Sequence, residues 1–346
     1  MATRVTVRYP ATDRARPISG ARPNPEGPAM STCPVCSASG ANQRLAEVAL
    51  VPGSRYDLVC CPGCGVIRLD PLPTPGVLEQ FYSADYFDFD PGYAEGKGAV
   101  YAARLKRLGP RGTFLDIGCA TGHLLAGIRR HCAWEVHGVE FGSAAVAHAR
   151  DRLGLDVRQG DLCQAGYPDA FFDYIHLNNV LEHVLDPVAL LRECRRIIKP
   201  DGRFFLAVPN GANDHLPLVA FHQGQGIPAR SHSGHLYFFH QETLKTMLAQ
   251  TGFRIVRTET GSIKRGLRNR GILPRKKNWQ EPLRMPATES APATECANKV
   301  PDVDRSGSRP AFYYRLRFLQ NSLNVLPGLH DFGLDFIFHL RPTDYQ

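Results

Sequence analysis

From residue 113 onward the chain alternates between two hydrophobic periods. Short apolar runs at 113–117, 135–140, 156–159, 172–177 and 203–208 read as strands. Between them, about 123–130, 143–153 and 187–198, apolar residues recur every three or four positions and read as helices. That rhythm of strand, helix, strand predicts a parallel sheet covered on both faces, a doubly wound α/β architecture with one antiparallel edge strand. A helical pattern at about 94–108 leads into it. A loop rich in His and Gly, 210–234, is expected to follow, then a helix at 241–251 and a strand at 253–259.

The flanks read differently. Residues 1–29 mix Pro, Arg, Gly and Ala without periodicity and are expected to be disordered, with Met30 a candidate natural start. Residues 70–75 form a proline-rich connector, and an aromatic stretch runs over 81–89. Residues 262 to about 309 are polar and Pro-rich, hence expected to be flexible, whereas 312–340 regains apolar residues and can dock on the body. The implied division is a 1–29 extension, a 30–75 cysteine module with its connector, a 76–261 catalytic domain and a basic 262–346 extension.

With 346 residues, 43% of them hydrophobic, the chain can bury one large core and a small satellite. No window approaches the roughly 18 to 20 apolar residues of a membrane span, so a cytoplasmic protein is expected. The formal charge of +8 invites a nucleic-acid reading, but it is unevenly placed: +3 over 1–32, −1 over 33–261 and +6 over 262–346. A near-neutral body counts against a basic groove across it, although a basic tail can still meet an anionic partner.

The segment Phe114-Leu115-Asp116-Ile117-Gly118-Cys119-Ala120-Thr121-Gly122 is an apolar strand running into a glycine turn that opens a helix. Gly118 and Gly122 let backbone pass close to a ligand, and the helix start leaves N–H donors there. Such a turn at the carboxyl end of a strand is a nucleotide-type pocket. The spacing lacks G-x-G-x-x-G, and Asp116 suits a cationic ligand better than a pyrophosphate.

Taken with Val139-Glu140, Gly160-Asp161-Leu162 and Phe172 through Val184, this turn resembles the class I S-adenosylmethionine-dependent methyltransferases, over residues 95 to 260. The run Ile197-Ile198-Lys199-Pro200-Asp201-Gly202 resembles them too. The resemblance implies that Asp116, Gly118, Cys119 and Gly122 form the cofactor loop, with Cys119 a small packing residue in it. It further implies that Glu140 accepts bonds from both ribose hydroxyls, that Asp161, beside Leu162, reads the adenine amino group, and that Asn178 ends the fourth strand at the pocket.

Five of the ten cysteines fall within residues 33–64, which is not the spread of a secreted disulfide scaffold. Cys33, Cys36, Cys61 and Cys64 form two C-x2-C pairs separated by 24 residues, the spacing of a tetrahedral, structural zinc site. Cys60 falls outside that spacing. Iron in the same geometry and redox-active pairs remain alternatives. A zinc ribbon ahead of such a body is similar to bacterial methyltransferases that act on sugars or secondary metabolites.

His183 and His235 are the candidate catalytic residues, because imidazole titrates near neutrality and suits a general base for a hydroxyl or amine. His215, His222, His232 and His240 share the region, but no tight ligand spacing among them marks a metal site. The expected function is methyl transfer to a small-molecule or sugar-type acceptor. The competing readings are an RNA methyltransferase gripping phosphates through the module and tail, and a non-catalytic cofactor-fold binding protein. Oligomeric state is not legible.

Overall fold

The computed structural model describes residues 30–50, 54–81, 91–222, 234–261, 263 and 334–343. The expectations for 1–29, for most of the aromatic stretch, for 223–233 and for 262–309 fall outside these residues.

Five strands of the main sheet run parallel: β6 (Thr113–Ile117), β7 (Glu135–Glu140), β8 (Asp156–Gln159), β9 (Phe172–Asn178) and β10 (Ile198–Pro209). β6 is buried over nearly its whole length, as a parallel strand covered on both faces must be. The crossovers are α3 (His123–His131), α4 (Ser143–Ala147, prolonged by a π-helical turn to Arg152) and α5 (Pro187–Ile197). α5 starts where its sequence says it should: Asp186 accepts the Ala189 N–H at 2.8 Å, and Pro187 needs no donor in the first turn.

Two further strands complete the sheet, β12 (Phe253–Thr260) and β13 (Asp335–Pro342), giving the order β8-β7-β6-β9-β10-β13-β12. β13 runs antiparallel to both neighbours. The antiparallel strand is thus β13, one place in from the rim, with β12 outside it. It comes from beyond residue 261, so the sheet draws its seventh strand from the segment read as an extension. Phe336, Phe338 and Leu340 point inward and are essentially inaccessible.

Side chains alternate across β6 and β9 and build two cores. Leu115, Ile117, Ile175 and Leu177 face α5 and the cysteine module. Phe114 and Tyr174 face the other way, toward α3 and Tyr101 of α2 (Pro91–Lys106).

The cysteine module is a small antiparallel sheet of β3 (Gln43–Val48), β4 (Tyr56–Cys60) and β5 (Ile67–Asp70), preceded by the hairpin β1 (Met30–Thr32) and β2 (Ser39–Ala41). Its fourth strand, β11 (Tyr237–Phe238), belongs to the catalytic body and pairs with β5. Leu69 N–H donates to Leu236 O at 2.9 Å, and Thr243 of α7 (Gln241–Gln250) bonds Cys64 O at 3.1 Å. Module and body therefore share one hydrophobic core.

One expectation needs correction. The stretch read as a loop at 210–234 contains a helix, α6 (Gly211–His222). Gly211 at its start and Pro217 within it argued against a helix on local grounds. Packing overrides them: Gly211 lies so tightly against the Phe238–Phe239 backbone that a Cβ there would collide.

Phe338→Ala should cost about 3–5 kcal/mol of stability, because it empties a buried aromatic site in the core. Chemical denaturation would read this as a lowered midpoint at unchanged slope; a surface-like effect below 1 kcal/mol would place the C-terminal strand outside the core.

Candidate functional site

The chain leaves β6 toward α3 on one face of the sheet, and the fourth parallel strand β9 lies on its other side. A crevice opens between their carboxyl ends, as doubly wound sheets require at the point where strand order reverses. It forms a cavity of about 730 Å³ lined by Gly118, Glu140, Asp161, Asn178, His183 and His235 among others.

Gly118 sits at φ +71°, and a Cβ there would overlap the Val180 side chain. Ala120 also takes a left-handed φ, +48°. That uncommon conformation aims its N–H at Glu140 Oε2, 3.0 Å away, while Gly142 N–H reaches Oε1 at 2.8 Å. Glu140 is 8% exposed. Burial pushes its carboxyl above the usual range, and the amides of Gly142, Ala120 and Phe141 offset part of that. Each oxygen keeps a second lone pair for a ligand hydroxyl.

Asp161 Oδ1 accepts the Gln164 N–H at 2.8 Å, which fixes the turn at the cavity's far wall beside the buried Leu162. Asn178 ends β9 in the open crevice.

Three residues of the glycine segment stand away from the cavity wall. Asp116 points to the opposite face of β6 because its neighbour Ile117 takes the cavity side; its Oδ1 meets His176 Nδ1 at 2.7 Å, beneath the Tyr101 ring. Cys119 is buried against Gly138 and Leu125. Gly122, at φ +82°, opens α3 under Ala149 and Leu155.

The other end of the cavity is built by the short 3₁₀ turn Leu181–His183 and the segment 234–236. Leu236 N–H donates to Glu182 O at 2.8 Å, bringing His235 against His183 with ring centroids 4.9 Å apart. His183 Nδ1 donates to Gly234 O at 3.1 Å, and His235 Nδ1 stands 3.2 Å from Asp214 Oδ2. Burial lowers the affinity of His235 for a proton, but Asp214 and Glu182 outweigh it and the net shift is upward. The sequence reading did not single out Glu182 or Asp214 as functional. The Glu182-His183 dipeptide at a strand end was a usable signal; Asp214 was hidden inside the missed helix α6.

The four module sulfurs converge as their spacing predicts. Cys33 Sγ lies 3.8 Å from Cys64 Sγ, and Cys36 Sγ lies 3.7 Å from Cys61 Sγ. Four thiolates each about 2.3 Å from a common tetrahedral centre stand about 3.8 Å apart. The two turns are copies of each other: Ser37 N–H bonds Cys33 O at 2.8 Å, and Gly65 N–H bonds Cys61 O at 2.9 Å. The Cys60 thiol turns instead toward the Cys61 and Gly65 carbonyls.

Residues 93–258 match the model of a family described as a methyltransferase domain. Together with the sheet order, this match, over just under half of the chain, supports a class I S-adenosylmethionine-dependent methyltransferase domain there. The chain is 30% identical over 145 residues to a probable S-adenosylmethionine-dependent methyltransferase of Mycolicibacterium smegmatis, covering 41% of this chain and 51% of that protein. It is likewise 30% identical over 155 residues to one of Mycobacterium tuberculosis, covering 43% and 52%. A ubiquinone biosynthesis O-methyltransferase of Neisseria meningitidis is 29% identical over 157 residues, covering 42% of this chain and 65% of that protein. The chain thus spans about half the length of the first two relatives. No helix among the described residues is long and apolar enough to cross a membrane.

Proposed function

We propose that the protein transfers a methyl group from S-adenosylmethionine to a small-molecule or sugar-type acceptor, and that a structural zinc ion held by Cys33, Cys36, Cys61 and Cys64 braces its N-terminal module. The observation carrying the first half is the buried Glu140 carboxylate, held by two loop amides with lone pairs left over at the rim of a cavity of nucleoside size. A ligand with paired hydroxyls offsets the cost of burying that carboxylate.

S-adenosylmethionine, when bound, supplies a methyl group on a positively charged sulfur. The protein's part is to position and activate the acceptor. In this reading Glu140 holds the ribose hydroxyls, Asp161 the adenine amino group beside Leu162, and Gly118 keeps the passage along β6 clear. Asp116, Cys119 and Gly122 act from behind the wall by fixing the loop. His183 and His235 stand at the acceptor end, where an imidazole can draw the proton from a hydroxyl or amine. The charge of −1 over 33–261 favours a small acceptor over a polyanion.

The zinc reading rests on the four-sulfur geometry and on the module's size. Apart from its share of the common core it has little to hold its turns in place, and a closed shell of four thiolates supplies that without touching the chemistry.

Calorimetry of the full chain with S-adenosylhomocysteine should show one site. Glu140→Gln should weaken it by roughly tenfold to a hundredfold, the worth of a charged hydrogen bond at about 1.5–3 kcal/mol. Undetectable binding to folded wild-type protein overturns the reading. In a screen for S-adenosylhomocysteine release against candidate acceptors, His183→Gln or His235→Gln should lower turnover by about 10²–10⁴-fold with cofactor affinity kept. Near-normal turnover removes that residue. Metal analysis should find about one zinc per chain, and less than half an equivalent rejects the assignment.

A further inference from the structure

Glu182 is the most deeply placed charged group in the cavity wall. It is 1% exposed, and neither carboxylate oxygen has a hydrogen-bond partner among the described residues. A carboxylate withdrawn from water is costly unless something replaces its lost hydration.

What faces it is unusual. His183 Nε2 lies 3.6 Å from Glu182 Oε1 and His235 Nε2 lies 4.0 Å from the same atom, both beyond hydrogen-bond range. The Gly234 carbonyl can only accept, so His183 carries its ring proton on Nδ1 and turns a lone pair toward Glu182. Asp214 Oδ2 stands on the Nδ1 side of His235, so the neutral ring likewise turns its Nε2 lone pair toward Glu182. Three electron-pair donors therefore confront one another, all within 4.8 Å. The charges that act on Glu182 are His235, Asp214 and Asp335, and both acids add to the deficit.

We propose that Glu182, His183 and His235 bind a divalent first-row transition-metal ion at the acceptor end of the cavity. Two imidazoles with one carboxylate suit manganese, iron, cobalt or zinc and leave coordination positions open. Donors about 2.0–2.2 Å from one ion stand about 3.0–3.4 Å apart, so the observed triangle, with edges of 3.6 and 4.0 Å and a third no longer than 4.8 Å, closes on an ion by shifts of a few tenths of an ångström to about 1.5 Å. Each imidazole already has the outer partner that metal-bound histidines use, a backbone carbonyl for His183 and a carboxylate for His235. Because the three donors line the cavity itself, the open positions face whatever enters it.

The substrate class follows, and it rests on the methyl-transfer reading above. An acceptor hydroxyl bound to such an ion becomes more acidic and can release its proton to water; the electron pair left on oxygen forms the O–CH3 bond as the S–CH3 bond of S-adenosylmethionine breaks, and S-adenosylhomocysteine leaves. With the ion bound, His183 and His235 serve as ligands in place of the base role given above, and the ion does the activating. An acceptor with a second oxygen next to the methylated hydroxyl fills two open positions at once and is favoured.

The test is titration of Mn²⁺ into the full chain, purified with its cysteine-site metal in place, with free aqueous Mn²⁺ counted by electron paramagnetic resonance. Manganese avoids thiolate sites, so the four-cysteine cluster does not confound the count. One bound ion per wild-type chain is expected, with Glu182→Gln and His235→Gln each weakening it by about a hundredfold or more, and Asp214→Asn by about ten- to a hundredfold. S-adenosylhomocysteine calorimetry on the same samples checks folding and reads the cofactor site separately. Wild-type protein that binds the nucleoside but no Mn²⁺, or variants that bind Mn²⁺ as well as wild type, overturn the proposal. Mn²⁺ binding without nucleoside binding overturns the methyl-transfer reading and leaves the metal site standing.

Discussion

Everything in the cavity depends on where the parallel sheet reverses its strand order. β6 has β7 on one side and β9 on the other, and the connections that leave those three strands part to opposite faces. At their carboxyl ends the backbone has no further strand to pair with. The turns there have to satisfy their own amides, and Glu140 is how this protein does it: one side chain ties the glycine loop to the turn after β7. The same carboxylate that organises the crevice is the group best placed to meet a ligand.

The two ends of the crevice differ in how they are built. The end at the glycine loop is made of residues consecutive with strand ends, some held by a bond to a near neighbour, as in Asp161 to Gln164. The opposite end is assembled from remote segments: Glu182 and His183 from the turn after β9, His235 from the chain before β11, and Asp214 from α6. It holds together through the Leu236 to Glu182 backbone bond.

This difference decides what the sequence could disclose. Strand limits at 113–117, 135–140 and 156–159 agree with the structure because a parallel strand writes a compact apolar run between turn residues. The C-x2-C pairs were equally plain, since two sulfurs three residues apart are already half of a ligand set. Other features have no local signature. Asp116 differs from its neighbours only by which face of β6 it takes, α6 begins on glycine and carries a proline, and His235 and Asp214 are remote in sequence from the Glu182 they surround. β13 is the extreme case: a strand from residue 335 is inserted between strands ending at 209 and beginning at 253.

The seam between β5 and β11 couples parts of the molecule that differ in chemistry. Leu69 and Leu236 are joined through their backbones, and one residue before Leu236 stands His235. A backbone ladder transmits displacement with little slack, since sliding by one residue would exchange the two buried faces that Tyr237 and Phe238 fill. The thiol cluster and the imidazole pair are thus set in a common frame, and any oxidation of Cys61 or Cys64 that spreads their turn would misalign the far rim of the pocket although no sulfur reaches it.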